Sequence, residues 1–377
     1  MQILKVIFIL CLSSISYATF SVVPMGMSEG LQANTGTGNY NSSFPSYYNP
    51  AALSWVQKDH FSLSGLGFNS ISAKSQQLNF KSERFSTANV FSVITSSMGN
   101  VAFFLYLPRD IESKFENSQW LNLQSGEIGT GRFSIREQWT VGGLSFAPRN
   151  ETQDWWSYGF NLQFEYRDLQ SSSLLYKINS SGNGGSFTSG ESRKNHLGLS
   201  ISFGSVYQIT PRLSFGYVLT SPSLQITRGN TGDTLFLSYN YESSNAFLHA
   251  QQSQSTTPLA SLPLRARSGL HWQGSNLSWS LDYEFQDQMD SLERQHNLTS
   301  GLGIRVGQKS ELLMGVGRSL TTNLGINDSY GSRLTFGYLN RDKILSYSIG
   351  TYTWLPIKKD ENTSSIYGLI FNTLYNF

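Results

Sequence analysis

The residues best suited to acid–base or metal chemistry in this chain are its five histidines, His60, His196, His249, His271 and His296. None stands in a Ser/His arrangement that would make it a general base, and neither HxxxH nor CxxC spacing occurs to hold a metal. A glycine loop of the phosphate-cradling kind is also absent. His196 and His249 fall near one rim of the expected structure, where the catalytic histidine of a surface enzyme would stand, yet no nucleophile or carboxylate is tied to either. The only cysteine, Cys11, lies within an apolar leader, which removes disulfides, thiol chemistry and Cys-ligated metal from the working protein. Enzymatic turnover and a cofactor are therefore not expected. What remains is recognition by surfaces, and the densest surface-forming stretch is "SSFPSYYNPAALSW", Ser42 to Trp55. Within it Asn49 is placed to cap a short helix that starts at Pro50 and continues through Ala51, Ala52 and Leu53.

The elements that would hold such a stretch are read from the rest of the chain. Lys5, the apolar run Val6 to Leu12 and the small residues at Ser16 and Ala18 form a secretory signal over residues 1–18; the run is too short to cross a membrane as a helix. Charged residues are 14% of the chain and aromatic ones also 14%, against the roughly 25% charged of a soluble domain. The net charge of +2 gives no reason to expect a nucleic-acid partner. Few charges, many aromatics and no apolar helix fit a transmembrane β-barrel.

Alternation supports this. In "NLSWSLDYEF", Leu277, Trp279, Leu281, Tyr283 and Phe285 share one face, and Asn276, Ser278, Ser280, Asp282 and Glu284 the other. The same period of two runs through "SYGFNLQFEYR" and "HLGLSISFGSVY", and the face opposite the large residues is too polar for a dry sandwich core. Short connections at 97–100, 149–154, 210–212, 273–276, 307–310 and 340–343 interleave with longer ones near 73–84, 109–130, 178–193, 227–261, 288–294, 322–329 and 356–363. That rhythm predicts an all-β fold, an antiparallel barrel of about 14 strands with both ends in the periplasm of a bacterial outer membrane. The strands would occupy 60–377, including 85–96 and 101–108, behind an N-terminal segment 19–59 that fills the lumen. The terminal "YGLIFNTLYNF" resembles the last strand that the barrel-assembly machinery reads.

The stretch "YYNPAALSW" after the Gly-rich "GMSEGLQANTGTGNYN" resembles the N-terminal hatch of the FadL-type outer-membrane transporters. "MGNVAFFLYLPRD" and "SLPLRARSGLHWQGSNLSWSLDYEFQD" resemble further pieces of that family in order. The resemblance implies passive uptake of hydrophobic small molecules, long-chain fatty acids first among them. Binding would lie between the outer loops and a plug of Phe44, Tyr47, Tyr48, Asn49, Pro50, Ala51, Leu53 and Trp55. It also implies a strand kink that opens the wall sideways. Pro108 is the residue for it, either kinking the third strand or ending it early, since proline removes a ladder hydrogen bond. Ile111, Phe115, Trp120, Leu121 and Leu123 in the 109–130 loop are candidate apolar ligand contacts, or else pack that loop on the rim. Arg167, Arg265 and Arg267 are candidate partners for a carboxylate; Arg305 and Arg333 face the same interior, as do Glu165, Asp282 and Glu284, so that ion pairs bracing the wall are the alternative role. Expected partners are the ligand, outer-membrane lipids and lipopolysaccharide, and the assembly machinery. The same plugged barrel would also suit a secretion scaffold or a surface-binding protein.

Overall fold

The computed structural model describes residues 24–74, 79–86, 89–121, 128–149, 155–178, 184–240, 245–252, 263–287, 294–320, 332–355 and 363–377. The expected signal at 1–18, residues 19–23 and Leu123 lie outside the described residues, as do the side chains of Pro108, Ile111, Phe115, Trp120 and Leu121.

Alternating sequences become strands whose two faces meet different surroundings. The described strand segments join in one antiparallel sheet that closes into a barrel of 14 strands, three of them written as two segments each. In chain order they are β1 (His60–Lys74), β2 (Asn79–Ser86 and Asn89–Ile94), β3 (Asn100–Leu121), β4 (Ile128–Ala147) and β5 (Trp156–Ile178). Next come β6 (Gly184–Thr210), β7 (Leu213–Thr220 and Leu224–Asn240), β8 (Asn245–Gln252 and Arg265–Gln273), β9 (Leu277–Gln286) and β10 (Gln295–Arg305). The last are β11 (Ser310–Ser319), β12 (Ser332–Asn340), β13 (Leu345–Leu355) and β14 (Thr363–Asn376). Closure is made by β14 against β1, from His60 opposite Asn376 to Lys74 opposite Thr363.

The wall is apolar outward and polar inward. On β5, Phe160, Leu162, Phe164 and Tyr166 are exposed while Asn161, Gln163 and Glu165 are buried, and β6 repeats this with Ile201 and Phe203 against Ser200 and Ser202. A water-soluble sandwich would reverse the two faces; this arrangement puts the large side chains where lipid would be. No described helix is long and apolar enough to cross a membrane.

Strand lengths correct the sequence reading at several places. β6 has 27 residues and β12 has 9, roughly 90 Å against roughly 30 Å of extended chain. Segments expected as loops, 109–130, 178–193 and 227–261, are largely strand: β3 continues to Leu121, β4 starts at Ile128, β6 starts at Gly184, and β7 and β8 carry Leu224–Asn240 and Asn245–Gln252. β2 likewise begins at Asn79, inside the expected 73–84 connection. A membrane-crossing strand needs only about 9–11 residues. Beyond that height neither face meets lipid, the apolar–polar contrast disappears, and a paired strand has the Ser, Thr and Asn composition of a loop.

β1 and β3, the two neighbours of β2, each carry a bulge. In β1, Ser64 and Gly65 together face Asn372, with Gly65 at a φ of 76° that glycine adopts without penalty. In β3 the register passes from Tyr106 opposite Val141 to Arg109 opposite Trp139, so Leu107 and Pro108 share one partner position, Thr140.

Candidate functional site

Residues 24–54 pack against inward-facing residues of the wall and are almost wholly buried, while 55–59 lead out to β1. Their path holds a four-residue helix, Pro45–Tyr48, and a 3-10 helix, Pro50–Trp55. The helix expected at Pro50 is thus present in the tighter 3-10 form. Its start is capped as the sequence indicated: Asn49 Oδ1 accepts from the Ala51 N–H at 3.1 Å. The Asn49 amide donates to the carbonyls of Thr37 and of Ser205 on β6, each at 2.9 Å. One side chain therefore caps a helix, joins two parts of the segment and fixes both to the wall.

The wall is cut away to receive the segment. Four cross-strand glycine pairs, Gly159 with Gly204, Gly216 with Gly269, Gly301 with Gly315 and Gly337 with Gly350, face it. A methyl group at Gly204 would run into the Asn49 side chain, at Gly216 into the Thr37 carbonyl, at Gly315 into the backbone of Gln32 and Ala33, and at Gly350 into Leu31. Polar side chains supply the remaining contacts. Asp282 of β9 accepts the N–H groups of Gly36 and Thr37 at 2.8 Å each, a use of this carboxylate that differs from the expected arginine pairing. Asn100 of β3 donates to the carbonyls of Leu53 and Val56 at 2.7 Å, and Asn161 of β5 to that of Ser46 at 2.6 Å. Within the segment, fully buried Glu29 accepts from the Ser43 N–H at 2.7 Å and the Ser43 hydroxyl at 2.8 Å.

Toward β2, β3 and β4 the interior changes from polar to aromatic. Phe44, Tyr47 and Tyr48 pack in one cluster with Phe91, Phe104, Tyr106, Trp139 and Val141 of the wall. Ring centroids are 5.2 Å apart for Phe44 and Phe91 and 5.2 Å for Tyr47 and Tyr106. This face lies beside the irregular strands, and sequence reasoning missed its wall half. The alternation in "VAFFLYL" was legible, but its inward side holds Ala102, Phe104 and Tyr106 where other strands place Ser and Asn.

The candidate arginines are engaged. Arg167 Nη2 is 2.7 Å from Glu137 Oε1, with its guanidinium 4.6 Å above the Trp139 ring. Arg267 pairs with Glu284 at 3.0 Å and also donates to the Tyr47 carbonyl at 3.2 Å and the Tyr47 hydroxyl at 3.1 Å. Arg265 stands 3.9 Å from the same Glu284. A cavity of about 40 Å³ is lined by Tyr47, Arg267, Glu284, Asn297, Arg333 and Trp354, among others. His196 is buried against Glu165, 3.1 Å away, while Ser223 donates to the same carboxylate oxygen at 2.5 Å. Of the expected plug residues, Phe44, Tyr47, Tyr48, Asn49, Pro50, Ala51 and Leu53 are buried together and Trp55 is half-buried against Tyr40, 5.8 Å between rings. Ile111, Phe115, Trp120 and Leu121 belong to β3 and not to a loop. Pro108 does not end its strand; it sits in the bulge.

No family model matches the chain, and no curated protein is similar to it in sequence. Solved structures do match in fold. The Ralstonia pickettii toluene transporter TbuX is 15% identical, with a TM-score of 0.70 over 95% of this chain and 100% of its own. The Pseudomonas putida toluene transporter TodX is 14% identical, with a TM-score of 0.65 over 95% and 98%. A Pseudomonas aeruginosa FadL homologue is 13% identical, with a TM-score of 0.68 over 94% and 99%. The fold of this chain is that of the FadL-type barrels.

Proposed function

We propose that this barrel is a passive outer-membrane channel for hydrophobic small molecules, in which the N-terminal segment acts as a plug and the ligand leaves sideways through the wall. The observation that carries this reading is the coincidence of two features. The aromatic face of the plug, Phe44 and Tyr47 with Phe91 and Tyr106, stands beside the bulges of β1 and β3. An apolar molecule reaching that face leaves water, gaining roughly 25 cal/mol per Å² buried. It needs no cofactor or energy source to proceed toward lipid.

The plug's fastening supports a lateral route over expulsion of the whole segment. Asn49, Asp282, Asn100 and Asn161 hold it to β6, β9, β3 and β5, and each such bond is worth about 1 kcal/mol net. Moving the segment as a body would break all of them at once, whereas a path along its aromatic face breaks none.

Ligand charge follows from the arginines. Arg167 and Arg267 already hold carboxylates, which favours a neutral ligand, such as the toluene carried by TbuX and TodX, over the fatty acid first expected. Residence in the bacterial outer membrane, with lipopolysaccharide and the assembly machinery as surroundings, belongs to the same reading.

Mass spectrometry of apolar compounds retained by the purified barrel, comparing wild type with Phe44→Asp, tests it. A retained neutral hydrocarbon that is lost in Phe44→Asp is the expected result. A retained fatty acid would overturn the neutral-ligand assignment. An empty barrel in both forms, with stable periplasmic proteins bound instead, would favour the scaffold role.

A further inference from the structure

On β4 the buried apolar cluster runs from Ala147 through Val141 to Trp139, and Glu137 is the next residue on the same face. One oxygen of that carboxylate, Oε1, accepts three donors: the Trp139 Nε1–H at 2.9 Å, and the Nε–H and Nη2–H of Arg167 at 3.0 and 2.7 Å. Arg167 stands directly across from Trp139 on β5 and lays its guanidinium 4.6 Å from the centre of the indole ring. The two charged side chains are 12% and 6% exposed, Arg167 and Glu137 respectively. The edge of the aromatic face therefore carries a positive and a negative charge held against each other.

This pairing bears on which ligands the face can take. A guanidinium beside stacked rings suits the carboxylate of an aromatic acid, because it offers paired donors to the two oxygens. Here Glu137 already occupies those donors. An incoming anion would have to displace a buried carboxylate and separate it from its partner charge, which is strongly unfavourable. An uncharged ring meets no such penalty. Specificity of this kind comes from a group that works against the wrong ligand, beside the surfaces that attract the right one.

We infer that Glu137 is the residue that makes the aromatic face select uncharged ligands, by keeping the Arg167 guanidinium from incoming carboxylates. The inference rests on the proposed channel reading and adds to it the side chain that sets ligand charge. Arg267 is not equivalent. Besides Glu284 it donates to the carbonyl and the hydroxyl of Tyr47, so it stays engaged even without a carboxylate.

Glu137→Gln tests this cleanly, since the amide oxygen can accept from the same three donors while the negative charge is lost. Arg167→Met makes the opposite change and leaves the carboxylate without the guanidinium. The measurement is equilibrium dialysis of the purified barrel against radiolabelled toluene, benzoate and benzylammonium near neutral pH, with heat-modifiable gel mobility as a check of folding. Wild type is expected to bind toluene and to exclude both ions. Glu137→Gln is expected to bind benzoate at least about tenfold better, the worth of a hydrogen bond to a charged group, with toluene unchanged. Arg167→Met is expected to gain benzylammonium in the same way. A folded Glu137→Gln barrel that binds no more benzoate, or a folded Arg167→Met barrel that binds no more benzylammonium, would overturn the assignment. Wild type that binds benzoate as tightly as toluene would overturn it without any variant. Toluene bound by none of the forms would instead overturn the channel reading.

Discussion

Asn49 ties the plug together and to the wall, since it caps Pro50–Trp55 and binds the carbonyls of Thr37 and Ser205. Asn49→Ala leaves those buried carbonyls without their donor and removes a helix cap, so a loss of about 2–3 kcal/mol is expected in the plug's attachment. Limited proteolysis of the folded barrel, with cleavage shifting into residues 24–59, would register it. The glycines give a second prediction: Gly216→Val would put a branched side chain where the Thr37 carbonyl lies, costing about 1–3 kcal/mol by overpacking. Ion conductance across a planar bilayer should rise as the plug is pushed off its seat. At this scale the sequence was readable where a residue type has one common use, as in the Asn-Pro start of the helix. It was not readable for Asp282 or Asn89, because a lone polar residue on an inward face has the same appearance whether it braces the wall, holds the N-terminal segment or bonds to neighbouring strands.

Among the elements, β3 is the one whose local form decides the account. Its bulge contains one residue more than β4 offers, so deleting Pro108 would let Leu107 face Thr140 and leave Arg109 opposite Trp139 as before. The shortened barrel is expected to assemble with normal heat-modifiable mobility and to lose uptake of apolar solutes; normal uptake would remove the bulge from the mechanism. The turn between β2 and β3 carries a pH prediction. The Thr95 hydroxyl and N–H both donate to Asp59, at 2.6 and 2.8 Å, and hold its carboxyl below the usual carboxylate range. A depressed folded value means that this contribution is complete above about pH 4 and is lost as pH falls through the folded value. NMR titration of Asp59 should show the lowered midpoint, and Thr95→Val should return it toward normal. Alternation and turn chemistry made the membrane-height strands legible, from β5 through β14, while the upper parts of β3 to β8 lost the lipid-facing contrast that such patterns rest on.

On the scale of the whole molecule, the N-terminal segment is fastened to strands on several sides of the barrel, and the interior beside it is polar in one sector and aromatic in another. Under the proposed function, ions and apolar solutes should therefore meet different outcomes: the polar sector holds hydrogen bonds and ion pairs, whereas the aromatic sector lies beside the bulges of β1 and β3. The general architecture was foreseeable from composition, the short and long connections and the aromatic ending. The sectoring was not, since it depends on which strands become neighbours across the plug. The most direct measurement is a paired one on the wild-type protein, comparing radiolabelled toluene uptake by expressing and non-expressing cells with ion conductance of the purified barrel in a planar bilayer. The account predicts faster toluene uptake with no steady ion current. Toluene uptake equal to that of non-expressing cells, or a sustained open-pore current, would contradict it.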